Sequence, residues 1–281
     1  MTHSGAAAPA APDPFFGHLE VRVETLKPGT ALFTGPSGAA LRDAAGELFA
    51  VALSDEAIGG VRAALTGADA PAPAELSAFD HAGHLGGRAG WPVGRRTVAV
   101  LAERSADLVD ALRRAGANPV VPRAGAGLAE VLELGPAAVC AWHDGPAPDR
   151  WRELDALADH GIGWQRISRE GRHVLLEPIG VPHRDVRARR LAAAGSGHRH
   201  LRAYWAGENA VRGDETPDPA EFLLVAALAV KDLARWAADV PVAGNSLTPG
   251  AIPAHRRLRV LDLDTGALAD HPVLPVPASA P

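Results

Sequence analysis

Four groups of residues have the chemistry, by type and spacing, to bind or react. His183, His198 and His200, with Cys140 or Asp185, are side chains that ligate zinc. Metal sites usually space their ligands in tighter pairs than this, and an exposed basic loop is the plainer reading. Arg184, Arg187, Arg189 and Arg190 are candidate contacts for an anion or a partner, and with Arg199, Arg202, Tyr204 and Trp205 they suit phosphate or RNA. Nucleic acid is disfavoured, because strand-borne aromatics and a basic whole-domain charge are both missing, so the cluster meets an acidic surface or is simply solvated. Gly125-Ala126-Gly127 resembles the start of a dinucleotide loop, but Glu130 stands where the third glycine belongs, which leaves an ordinary turn. Ser246 lacks a nucleophile-elbow context, and Cys140 lies in an apolar strand where a thiol is a small core residue. No catalytic residue, metal ligand or cofactor follows from these groups.

The element that positions them is residues 97–122, TVAVLAERSADLVDALRRAGANPVVP. Residues 97–101 alternate Val as a strand does, Ser105 is placed to cap a helix carrying Leu108, Ala111, Leu112 and Ala115, and Gly116 ends it. Residues 118–121 form a second strand, so the unit reads as the βαβ opening of a Rossmann-like parallel sheet. The turn after the first strand is Ala102-Glu103-Arg104-Ser105 rather than a glycine run, and Glu103 repels phosphate. The nucleotide site is therefore read as disabled.

Residues 1–14 are mostly Ala and Pro with almost no large apolar side chain, and are expected to be a disordered tail. Residues 19–26 and 30–34 read as strands, 39–51 as strand or helix, 54–65 as a helix capped by Ser54, and 73–85 as a short helix. Residues 15–86 thus form a small winged-helix-like α+β module, followed by a glycine-rich linker and, over 95–281, the Rossmann-like domain. In that domain the spacing predicts helices over 128–134 and 150–160, a strand over 137–142, and a hairpin from 164 to 177. It further predicts a strand over 257–263 and an extended tail from His271, while 178–201 carries no firm assignment. Asp218, Pro219 and Glu221 start the clearest helix, over 219–238, whose apolar run places it in a core or at a homodimer interface.

The chain has 281 residues, 47% hydrophobic and 22% charged, enough to bury a core. A net charge of −5 argues against wholesale attraction to nucleic acid or anionic lipid. One cysteine excludes a disulfide framework within the chain. The longest apolar run is nine residues, where a membrane span needs about 20. With no signal pattern at the N-terminus, cytoplasm is the expected compartment.

Three features together resemble the ThiF-like partner proteins of YcaO cyclodehydratases from azole- and azoline-forming peptide pathways of the thiopeptide type. They are the small N-terminal module, the Rossmann-like core followed by LLEPIGVPHRDVRARRL, and the ending HPVLPVPAS. The resemblance implies a non-catalytic scaffold that captures the leader of a ribosomal precursor peptide and presents its core to a YcaO-type enzyme. Where the family carries paired cysteines this chain has residues 187–191 and Ala278-Ser279, so the family's structural zinc is not expected. A leader would add a strand to the edge at 30–34, or to the following segment, beside helix 54–65. The candidate peptide contacts are Arg22, Thr30, Leu32, Thr34, Arg42, Ile58 and Arg62; for the three arginines, suited to acidic leaders, surface solubility is the alternative. The rival reading is an adenylating or group-transfer enzyme with a divergent nucleotide site.

Overall fold

The computed structural model describes residues 25–68, 73–87, 90–207, 211, 213, 217–239 and 252–277. The chain divides into two compact units, Met1–Arg88 and Ala89–Pro281. The 1–14 segment, Arg22, most of 19–26 and Ser246 lie outside the described residues.

In the first unit β1 (Ala31–Gly35), β2 (Gly38–Arg42) and β3 (Leu48–Val51) form an antiparallel sheet in that order. The segment that was open between strand and helix becomes two strands because a turn interrupts it. Asp43 Oδ1 accepts hydrogen bonds from the amides of Ala45 and Glu47, both at 2.9 Å, and Gly46 takes a φ of 91°. Helix α1 (Asp55–Leu65) starts where expected, with Ser54 Oγ accepting from Ala57 N at 3.2 Å, and α2 (Leu76–His81) follows. Leu41, Val61, Leu76, Phe79 and Leu85 form the core.

In the second unit, β4 (Thr97–Ala102), α3 (Ala106–Arg114), β5 (Asn118–Val120), α4 (Leu128–Glu133), β6 (Ala138–His143) and β7 (Gly163–Glu170) build a parallel half-sheet. Then β8 (His173–Leu176), β9 (Arg257–Asp262) and β10 (Leu268–Pro272) extend it antiparallel, in the order β10-β9-β8-β7-β6-β4-β5. The α/β class and the separate small sheet are as read from the sequence. The antiparallel half is an addition, and it absorbs His271 and Pro272, expected in an extended tail, as ladder partners of Leu258 and Arg257.

Residues Asp149–His160 are a 3₁₀ helix rather than an α-helix. Trp151, Leu154 and Leu157 repeat every three residues, which is the 3₁₀ period, and all three are buried. Ser105 makes no side-chain cap bond, because its own backbone is already helical. The unassigned 178–201 region holds α5 (His183–Ala193) and the start of α6 (His198–Ala206), whose apolar positions are too sparse to show a periodic face. Helix α7 (Pro219–Ala237) has the expected capping box between Asp218 and Glu221, and its inner face enters the main core with α3. Among the described residues no helix is long and apolar enough to cross a membrane.

Candidate functional site

Among the described residues the first unit leaves a strand edge without a neighbour, beside an apolar slot. β3 is an edge strand, paired on one side with β2 through Leu41–Phe49 and Ala39–Val51. Phe49 lies on the core face of the sheet, yet it is 47% exposed because no helix covers it fully. Between β3 and α2 lies a cavity of about 380 Å³, with Phe49, Val51, Leu53, Ala78, Phe79 and His84 among its lining. The His84 and Phe49 ring centroids are 6.1 Å apart. A strand edge above an apolar trough suits an extended peptide, with the backbone giving affinity and the trough selecting side chains.

The expected peptide contacts are distributed differently from this slot. Thr30, Leu32 and Thr34 are at β1, the opposite edge, where Leu32 packs against the core. Ile58 is buried on α1 at 3% exposure, and Arg62 is exposed in its last turn. Arg42 is exposed and pairs across the ladder with Leu48, so it stands beside β3. Phe49, Leu53 and Ala78, which line the slot, were not among the expected contacts; the signal available for them was the unbroken apolar run Leu48 to Leu53 in a segment of unsettled type.

In the second unit Arg187, Arg189 and Arg190 are engaged by the fold, while Arg199 and Arg202 on α6 are exposed. Arg190 donates twice to the Glu170 carboxylate, at 2.7 and 2.6 Å, and Trp205 Nε1 donates to the same group at 2.7 Å. Arg187 stacks on Trp205 at 4.3 Å and lies 3.5 Å from Asp149. Arg189 donates to the carbonyls of Leu274 and Pro275 at 3.2 and 3.1 Å. Arg184 differs from these three, with 70% of its side chain exposed and a loose 3.7 Å approach to Asp185.

His183 is fully buried and part of an ionic cluster at the start of α5. Its Nδ1 donates to Glu177 at 2.9 Å, since a carboxylate can only accept. Arg166 Nε donates to Glu177 at 2.7 Å, and its Nη2 reaches the carbonyls of Pro178 and Val181 at 2.6 Å each. Asp155 accepts from the His183 and Arg184 amides at 2.6 and 3.0 Å, closing the helix N-terminus. Burial alone would raise the Glu177 carboxyl, but His183 and Arg166 beside it hold it below its ordinary value. Among the described residues no group of three or more His, Cys, Asp or Glu is placed to hold a metal ion. Cys140 is buried, and desolvation pushes its thiol up to about 12.

A crevice of about 340 Å³ lies at the carboxyl ends of β4 and β6, lined in part by Glu103, Arg123, Gly125, Trp142 and Arg150. This is where doubly wound folds place a nucleotide. Glu103 is in that lining, and Arg123 is committed to Glu130 at 2.7 Å. Gly127 caps a helix of six residues. At the end of β6 burial lowers His143, while Glu103 works in the opposite direction.

No family model matches the sequence, and no curated protein matches it. Among solved structures the chain is similar to a heterocyclase in complex with substrate and cofactor, with TM-score 0.58 and 16% identity over 90% of this chain and 38% of that one. It is also similar to the heterocyclase TruD, with TM-score 0.53 and 15% identity over 89% of this chain and 41% of the other. The chain therefore spans about two fifths of the length of these heterocyclases, and the likeness, at such low identity, is one of fold.

Proposed function

We propose that this protein binds an extended segment of a ribosomal precursor peptide along β3 and presents it to a separate YcaO-type cyclodehydratase, contributing no catalytic group itself. The observation that carries this reading is the outer edge of β3, which pairs with no further strand among the described residues, above the slot lined by Phe49, Leu53 and Ala78. The peptide contacts in this reading move from β1 and α1 to β3 and α2, while Arg42, next to Leu41 on the central strand, projects from the opposite face of the sheet. The fold likeness to heterocyclases supports the setting. Their chains extend well beyond the matched part, and here the chemistry would come from another protein.

The test is selection of binders from a displayed library of extended peptides, followed by anisotropy titration against the full chain. Ala78→Arg, which fills the slot from an exposed position on α2, is expected to abolish binding. Peptides that bind wild type and this variant equally would defeat the reading.

A second reading, an enzyme with a divergent nucleotide site, is favoured by the crevice beside Glu103 and Arg150. Calorimetric titration with ATP separates the two. Micromolar binding would count against a scaffold alone, and Glu103 predicts its absence by repelling phosphate.

A further inference from the structure

Helix α7 buries Phe222, Val225, Ala229 and Leu233 in the main core. A helix packed in this way should be polar on its opposite face. Here that face reads Ala220, Leu223, Leu224, Ala227, Leu228 and Lys231, at the i, i+3, i+4, i+7, i+8, i+11 spacing of one stripe. Leu223 is 54% and Leu224 43% exposed, Ala220, Ala227 and Lys231 are exposed, and Leu228, at the border of the stripe, is half-buried with part of its side chain already packed on the main core. The charges on this face, Lys231 and Arg235, lie at its C-terminal end, and the five positions before them are uncharged, as on a face built to be covered.

We propose that this stripe is covered by the same stripe of a second copy of the chain, with the two α7 helices antiparallel about a two-fold axis. The sizes along the stripe complement their own reverse order. With the axis between Leu224 and Ala227, Leu224 of one copy meets Ala227 of the other, Leu223 meets Leu228, and Ala220 meets the aliphatic stem of Lys231. Large side chains thus fall on small ones or on the flexible stem at every contact but the Leu–Leu pair. The charges agree with this direction. The helix starts at Asp218 and carries Lys231 some 13 residues on, so antiparallel pairing brings each Lys231 towards the acidic start of the other helix. A parallel pair would set lysine against lysine and align the helix dipoles unfavourably. This inference is independent of the peptide-binding reading, since α7 belongs to the other unit.

Six residues per copy make a smaller patch than the roughly 20–30 residues a side of a standard interface, so the dimer should dissociate in the ~1–100 µM range. Sedimentation equilibrium of the full chain tests this. Over roughly 1 to 500 µM, a range bracketing that affinity, the mass should rise from 29.1 kDa towards twice that value. The double variant Leu223→Glu/Leu224→Glu should raise the dissociation constant at least ~100-fold. Its far-ultraviolet circular dichroism should stay unchanged, because both positions are exposed. Lys231→Glu should weaken the dimer by about tenfold and reverse the sign of its salt dependence. A monomer at every concentration would overturn the proposal and leave the stripe to a different protein. A dimer that survives the double variant would overturn it equally, by moving the interface elsewhere.

Discussion

In the second unit several charged side chains offered as contacts have partners inside the fold: Arg190 on Glu170, Arg189 on two carbonyls, His183 on Glu177. In the first unit the opposite holds. Among the described residues the sheet ends on β3, and Phe49, an aromatic on its core face, is left nearly half uncovered. Charge density in sequence therefore pointed at scaffold, while the plain run Leu48 to Leu53 supplies the groove. A satisfied polar group has little left to offer a ligand, whereas an unpaired edge has main-chain bonds still to make.

This contrast can be broken most directly at the buried cluster. Arg166→Leu leaves Glu177 and Asp155 buried with less compensation, and should cost about 3–5 kcal/mol in urea unfolding. A loss under about 1 kcal/mol would mean that the cluster is not structural. At the groove, Phe49→Asp should weaken selected peptides ~10- to 100-fold. Being 47% exposed, Phe49 should change unfolding free energy little by this replacement, and a matching collapse of stability would erase the contrast.

Within the arginine cluster, Arg190→Ala should cost about 1–2 kcal/mol through its carboxylate bonds, against under ~0.5 kcal/mol for Arg184→Ala. Equal losses would show that the two sites do not differ. The smallest effect is that of pH. Glu177 is held below the ordinary value of 4.5, so the unfolded chain binds its proton first as pH falls. Its contribution is present above 4.5 and is lost as pH drops through the lower folded value. Thermal unfolding between neutral and strongly acid pH should show this decline, with the acid limb flatter in Glu177→Gln. An unchanged limb would argue that other carboxylates govern it.

Where periodicity and capping coincided, as at Ser54 and at Asp218 with Glu221, elements were legible to within a residue or two. Trp151, Leu154 and Leu157 were legible as helical but not as 3₁₀, because a three-residue period fits both patterns over so short a run. Helix α5 was not legible, since its buried positions include His183, whose burial depends on Glu177 and Arg166 arriving from other elements. The groove escaped because which strand ends a sheet is not a local property.

By itself, the sequence determined the strand–helix–strand opening at 97–122, the glycine-poor turn with Glu103, the capped α1 and α7, and the α/β class. Each rests on interactions within a few residues of chain, which spacing records directly. Only the tertiary structure decided that the arginines of α5 have internal partners, that β3 is an edge, and that Leu223 and Leu224 face outward. Those facts depend on residues distant in sequence competing to cover one another. Burial and pairing belong to the assembled fold rather than to any stretch of it.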